Sequence, residues 1–311
     1  MTKSCTMTNN ILPPLPLDQW LETKKTLHLY TQVIGKIKLA LMPYKNHWWH
    51  IPLYVNARGI GTSPMPYKDR LLELNFDFCR HALIINTNHS ETEVIELKDG
   101  LCVASFYKEV FDALKRINVE VQILAKSYAF EPQVAFADDT LHCSYQKDHV
   151  TRYWQILSFI DPVLKTFSGR FLGKCSPVHL FWHSFDIAVT RFSGRRGPDM
   201  QGTNKVNAEA YSHEVISSGF WAGDDNVQEP AFYTYAYPSP PGITNEALSP
   251  GGEARWIDSN GSPMALYPYE ALRREGKPAE ALLQFLESAY QAGAKCAGWD
   301  IAALTKTIQA T

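Results

Sequence analysis

An α+β fold built from two similar halves, each an α-β-β-β-β-α unit with an antiparallel sheet, is what this sequence predicts. Three observations lead there. A helical stripe, Tyr30, Val33, Ile34, Ile37 and Leu41, recurs later as Tyr153, Ile156, Leu157, Ile160 and Leu164 with the same offsets and kinds of side chain. Each stripe is followed by short apolar or alternating runs of strand length. In each half a Trp-His pair precedes an arginine by the same spacing, Trp49-His50 before Arg58 and Trp182-His183 before Arg191. Repeats of this kind point to an internal duplication.

In chain order, residues 1–19 read as an extended arm, because Pro13-Pro14-Leu15-Pro16 cannot be helical. The first repeat occupies 20–128. Its helix starts near Trp20, and a strand containing Trp49 ends at Gly59-Ile60-Gly61. Leu72 to Phe78 alternates strictly and turns back through Cys79-Arg80-His81 into Ala82 to Ile85. A strand from Glu93 to Leu97 leads to a helix carrying Phe106, Val110, Phe111, Leu114 and Ile117, and a last strand is expected at Val119 to Leu124. Residues 129–149 read as a linker.

The second repeat spans 150–311. Pro162 should kink or restart its first helix. The run from Ser176 to Arg196 reads as one strand, followed by strands at Glu209 to Val215 and Ala231 to Tyr237. A hairpin through Asn260-Gly261 and a helix from Ala279 to Ala297 complete it. The longer glycine- and proline-rich loops of this half make it the expected carrier of a site.

With 311 residues, 45% hydrophobic and 20% charged, and a net charge of −2, the composition is that of a globular protein with no global pull toward nucleic acid or an anionic membrane. Six scattered cysteines without a CxxC pair fit reduced thiols, and the polar first ten residues lack a secretory pattern. A cytoplasmic protein with neither nucleic-acid nor membrane partners is the expectation. Oligomeric state has no signature here.

Several runs resemble a widespread bacterial family whose domain has no known function. They are Gly173-Lys174-Cys175-Ser176-Pro177-Val178-His179, Phe185 to Arg195, Glu209-Ala210-Tyr211-Ser212-His213-Glu214, Gly219-Phe220-Trp221 and Glu229 to Pro238. Asn46-His47-Trp48-Trp49 and Thr62-Ser63-Pro64 belong to the same pattern. The resemblance runs from about Leu15 to Trp299 and implies no particular chemistry. His183 departs from the pattern, which carries a small residue there, so an essential role for it is not implied.

Read from the residues, the candidate site lies in the second repeat and takes a small anionic molecule. Arg58, Arg191, Arg195 and Arg196 offer planar forks for carboxylate or phosphate. His179, His213 and Glu214 are the candidate catalytic groups, and Tyr211, Trp221 and Tyr233 the walls, with Tyr233, Tyr235 and Tyr237 on one strand face. The alternative enzyme is a metal-dependent hydrolase or oxidoreductase using His179, His213 and Glu214 or Glu229. No metal or cofactor is specified by these residues. His213-Glu214 begins a zinc-protease motif, but Ser217 stands where its second histidine belongs, and alternation puts His213 and Glu214 on opposite strand faces. The phosphate-loop reading of residues 169–174 fails on spacing. A thiol nucleophile would use Cys175 with His179 or His213, and a paired-carboxylate reading Glu214 with Glu229. A third possibility is a structural or regulatory interaction protein without catalysis.

Overall fold

A computed structural model describes residues 12–306 apart from 129, 131, 132, 201, 225 and 226. The chain divides into two compact units that interleave in sequence. Residues 1–45, 50–159 and 180–185 form one; residues 46–49, 160–179 and 186–311 form the other. The helix α+β character holds in both, with antiparallel sheets throughout. Most of the expected N-terminal arm, residues 1–11, lies outside the described residues.

The first unit is built around α1 (Leu17–Leu41). Its sequence predicts a single apolar stripe, yet every residue from 26 to 38 is buried. A helix buried on all sides must satisfy its polar side chains internally. It does so with bonds to loops: Gln32 Nε2 donates to the Tyr128 carbonyl and the Tyr128 N–H donates back to Gln32 Oε1, both at 2.8 Å. Lys38 Nζ donates to the Pro52 carbonyl at 2.5 Å and lies 4.6 Å from the Tyr54 ring centre. Burial holds that ammonium down at about 8.

The sheet of this unit contains β1 (Tyr54–Asn56), β2 (Gly59–Gly61), β3 (Met65–Tyr67), β4 (Arg70–Asp77), β5 (Ala82–Thr87) and β6 (Thr92–Glu96). Its order is β1-β2-β4-β5-β6, with β3 also paired to β4. The single strand expected around Trp49 is instead the β1–β2 hairpin, because Asn56 Oδ1 accepts from the N–H groups of Arg58 and Gly59 and turns the chain. Helix α2 (Val103–Arg116) follows. The strand expected at Val119 to Leu124 is absent: those residues run without sheet pairing.

Cys102 and Cys143 form a disulfide, which corrects the reading of all cysteines as reduced; Cys79, Cys175 and Cys296 are free. The pairing spans 41 positions, so no local motif announces it. It rests on a loop laid across the start of α2. Val103 N–H donates to the His142 carbonyl at 3.1 Å and Ala104 N–H to the Asp139 carbonyl at 2.9 Å. Those two bonds satisfy first-turn donors that no capping side chain reaches.

Helix α3 (Lys147–Gly169) passes from the first unit into the second, and it continues through Pro162. The run from Ser176 to Arg196 is not one strand but two, β7 (His179–Phe181) and β8 (Asp186–Arg196). Phe185, with φ 60°, lies between them, and its N–H bonds back to the Phe181 carbonyl at 2.7 Å. Trp182 therefore sits in a turn of the first unit. Its ring covers Gly35 of α1, and its Nε1 donates to the Ile51 carbonyl at 3.1 Å. His28 of α1 bonds through Nε2 with the carbonyls of Trp182 and His183 at 3.0 and 3.2 Å.

The second sheet adds β9 (His213–Trp221), β10 (Ala231–Tyr237), β11 (Arg255–Ser259) and β12 (Ser262–Pro268), in the order β11-β12-β10-β9-β8-β7. Short α4 (Lys205–Ala210) precedes β9 where a strand from Glu209 is expected, because Asn204 caps the Asn207 N–H at 2.9 Å and starts a helix. The β11–β12 hairpin turns at Asn260-Gly261 as predicted, both with positive φ. Helices α5 (Tyr269–Leu272), α6 (Pro278–Cys296) and α7 (Ile301–Leu304) close the unit. Among the described residues no helix is long and apolar enough to cross a membrane.

Two predictions follow from the packing of α1. A Cβ at Gly35 would lie 2.3 Å from the Trp182 ring. Gly35→Ala should therefore destabilise by about 1–3 kcal/mol in denaturant titration, against the gain of about 1 kcal/mol expected from helix propensity alone. His28 is fully buried and its pKa is lowered to about 3 by desolvation, then by Lys24. Since the unfolded chain takes up a proton that the folded state refuses, stability falls as pH drops below about 6.5. Between pH 7 and 5 this group alone should cost about 2 kcal/mol. The same pH series on His28→Gln should show a correspondingly smaller loss; an unchanged loss would refute the assignment.

Candidate functional site

The second unit concentrates its unusual chemistry on one face of its sheet. Strand β8 alternates, so Asp186, Ala188, Thr190 and Phe192 look one way and Ile187, Val189 and Arg191 the other. Register carries the first face across β9 through Trp221, Gly219 and Ser217, then across β10 through Tyr233, Tyr235 and Tyr237. The opposite face receives α6, where Gly293 lies against Ile216 and Ala236.

Polar groups on the first face are joined in pairs. Tyr233 donates a short hydrogen bond to the buried Asp186 carboxylate. Tyr211 and Tyr235 share a hydroxyl bond at 2.9 Å, as do Thr190 and Ser217. Burial, with Asp186 adding repulsion, pushes the Tyr233 phenol well above its ordinary range, so it stays protonated as a donor. Trp221 packs on Tyr233 with ring centres 5.1 Å apart. Further along, Val227, Gln228, Glu229, Arg255, Ile257 and Leu266 line a cavity of about 460 Å³, with Glu229 and Arg255 at 3.6 Å.

At the β8 end of this face lies a cluster of titratable side chains. The segment before β7 pairs with β8 so that Phe192 N–H donates to the Lys174 carbonyl at 3.0 Å. That register puts the Lys174 side chain over Phe192, 5.1 Å from its ring centre, and 5.5 Å from that of Trp49. His47 reaches the same place from a turn in which both His47 and Trp48 have positive φ, at 56° and 59°. Two successive non-glycine residues in that region carry strain, and such strain collects at functional sites.

Hydrogen bonds assign the imidazole tautomers. The Glu209 carbonyl accepts from His47 Nδ1 at 3.1 Å and from Ser212 Oγ at 2.7 Å. His47 therefore presents its Nε2 lone pair to Lys174 Nζ, 2.5 Å away. Ser212 has spent its proton, so at 3.0 Å it accepts from His213 Nδ1 and leaves that ring's Nε2 as the acceptor. The His47 backbone N–H donates to Glu209 Oε1 at 2.9 Å, and the two rings lie 5.7 Å apart. Burial and then Lys174 lower the His47 pKa; burial, Lys174 and Arg196 lower that of His213. Burial also lowers Lys174.

A bulge sets Arg196 opposite His213 while Phe192 pairs with Val215. It turns Arg195 away. That guanidinium bonds Glu214 at 2.8 Å and the carbonyls of Ala297 and Gly298 at the end of α6, at 2.6 and 3.3 Å. Arg195, held by Glu214, thus caps the end of α6. No carboxylate pairs with Lys174 or Arg196 among the described residues.

This nearly continuous match of motif and geometry agrees with the whole-chain comparison. The chain belongs to the DUF5996 family. That family is described as one of unknown function, and its model matches residues 12–306. No curated protein and no solved structure matches the chain.

The geometry of this DUF5996 chain separates residues that the sequence places near one another. Pairing of Cys175 with Arg191 runs His179 alongside Ile187, which is opposite Phe220. His213 is seven strand positions from Phe220, roughly 23 Å at 3.3 Å per residue. His179, buried in the sheet, and His213 therefore do not share a centre, and His213 and Glu214 face opposite ways. Among the described residues no group of three or more His, Cys, Asp or Glu is placed to hold a metal. The His179–His213–Glu214 ligand set is corrected on those grounds; Glu229, offered with it, lies beside Arg255.

Arg58 pairs with Asp77 at 2.5 Å in the first unit. Arg191 is buried in the second, sandwiched between Phe167 and Tyr290 with ring centres 3.4 and 4.3 Å away. It donates to the Phe167 carbonyl and lies 3.3 Å from Glu287. Its partner is thus Glu287. Cys175 lies beside Ser168 at 3.3 Å, and burial pushes its thiol up, away from nucleophile range.

Tyr211, Trp221, Tyr233 and His213 do share the first face. His47 and Lys174 are the groups that residue-type reasoning passed over. Both fall inside the motifs Asn46 to Trp49 and Gly173 to His179, which carried the family resemblance.

Removing one member of the Arg191–Glu287 pair should be costly, because the other is left charged in a largely apolar setting. Glu287→Ala is expected to destabilise by about 3 kcal/mol in urea unfolding. A change under about 0.5 kcal/mol, the range of an ordinary surface substitution, would show that the pair is not held as described.

Proposed function

We propose that this DUF5996 protein binds a small anionic molecule on the first face of its second sheet, at the end where Lys174, Arg196, His47 and His213 gather. The observation that carries the reading is two cations without an ion-paired carboxylate, the Glu209 carboxylate being engaged by the His47 N–H. Lys174 and Arg196 stand beside two imidazoles with no carboxylate pairing either cation. An anion supplies what that charge lacks. Trp49, Phe192 and Tyr211 give the ligand apolar walls. Lys174 and Arg196 are exposed, so the place is open to solvent.

Neither nucleic acid nor membrane is part of this reading, since the cationic patch is a few residues wide on a chain of net charge −2. We place the protein in the cytoplasm, where Cys79, Cys175 and Cys296 stay reduced and the Cys102–Cys143 bond would follow the redox state. We also infer that the halves descend from one doubled unit. Support comes from the two matching helical stripes, buried apart from Leu41, and from the meander common to both sheets. The second half then added β11, which takes the sheet edge.

Inorganic phosphate, sulfate and oxalate in a thermal-shift titration test the anion. At a hundred times its Kd a ligand adds about 2.7 kcal/mol to stability. The shift should vanish in Lys174→Ala and Arg196→Ala and persist in Arg58→Ala. Burial first, and then nearby positive charge, lowers the proton affinity of His47 and His213, and a bound anion raises it. Binding should therefore tighten as pH falls from 8 to 6. No shift with any anion, or a shift untouched by the Lys174 and Arg196 variants, would overturn the reading.

A further inference from the structure

We propose that Lys174 is a nucleophile that forms an imine with a small carbonyl compound bearing a carboxylate, of the 2-oxo acid class, with His47 as its proton acceptor. The proposal rests on the anion reading above and adds a chemical step to it.

The argument starts from the direction of one hydrogen bond. An ammonium can only donate, and His47 is locked with its Nδ1 proton on the Glu209 carbonyl. The only arrangement available is Lys174 N–H toward the His47 Nε2 lone pair, at 2.5 Å. Proton transfer along that line leaves a neutral amine, the form that attacks carbonyl carbon. An imidazole aimed at an amine has little purpose in packing, since an ordinary surface lysine needs no acceptor beyond water. The strained turn at His47 and Trp48 holds the ring in place. The Phe192 and Trp49 rings flank the amine.

The step balances without an outside oxidant or reductant. Lys174 passes one proton to His47 Nε2. The amine lone pair bonds to the carbonyl carbon while the carbonyl π pair moves to oxygen, which takes the proton back from His47 as a carbinolamine forms. Loss of that hydroxyl as water, with a proton shuttled by the same imidazole, leaves a protonated imine. An ammonium and a carbonyl have become an iminium and water. Arg196, beside His213, is placed to hold the carboxylate, and His213 Nε2 offers a second acceptor. Cation pairing with the carboxylate is what selects a 2-oxo acid over a plain aldehyde.

The test uses the full chain with glyoxylate, pyruvate or acetaldehyde and sodium cyanoborohydride at pH 7, followed by peptide mass mapping over time. Rates at Lys174 are normalised to the exposed helical Lys115 in the same sample. Glyoxylate and pyruvate should modify Lys174 at least tenfold faster than Lys115, and His47→Gln should lower the Lys174 rate about tenfold without moving that of Lys115. The wild-type ratio needs no variant, so a His47→Gln chain that fails to fold leaves the measurement standing. A ratio near one in the wild type, or a rate unchanged in folded His47→Gln, overturns the nucleophile. If phosphate still stabilises the protein in that case, the anion reading survives it. If acetaldehyde shows the same preference as glyoxylate, carboxylate recognition is refuted while the amine chemistry holds.

Discussion

Burial of polar side chains away from water is the constraint on which both units depend. In the first, α1 is enclosed on every side although it carries Thr23, Thr26, Thr31, Gln32, Lys36 and Lys38 among its buried residues. Each such group costs several kcal/mol if left unpaired, roughly the margin by which a domain is stable. Loops around 52, 128 and 182 therefore run where they can supply carbonyls and N–H groups to α1. Their paths follow from that demand, and the small side chain of Gly35 follows from the need to seat Trp182.

The second unit meets the same demand on one face of its sheet and departs from it on the other. Arg191 is enclosed by two aromatic rings, a carbonyl and Glu287, so its charge has a partner of opposite sign. At Lys174 the balance is different. Two cations and two imidazoles meet there without a paired carboxylate, and burial, then nearby positive charge, lowers the proton affinity of both rings. Positive charge of that kind disfavours the empty protein and favours one holding an anion. The contrast between a neutralised arginine and an unneutralised lysine a few strand positions apart is what marks the site.

Much of the secondary structure was legible because it rests on local pattern. Alternation from Leu72, the Asn260-Gly261 turn, the α6 stripe and the Tyr233–Tyr235–Tyr237 face all reappear as read. Two of the misses leave no local mark. Ser176 to Arg196 is apolar throughout, and an apolar run carries no mark of where it bends, so the turn at Trp182 to Phe185 was invisible. The same holds for Cys102 and Cys143, whose pairing depends on a loop crossing the start of α2.

By itself, the chain's order of residues determined the α+β class, the antiparallel sheets, the faces on which Tyr233 and His213 lie, and membership of a recognisable family. Those depend on interactions between near neighbours, whose spacing is written in the chain. Tertiary structure alone decided that Arg191 belongs to Glu287, that His179 and His213 stand apart, and that His47, a residue of the first half, completes a cluster with Lys174. Which charges neutralise one another depends on contacts between segments 96 and 127 positions apart, and local spacing holds no record of them.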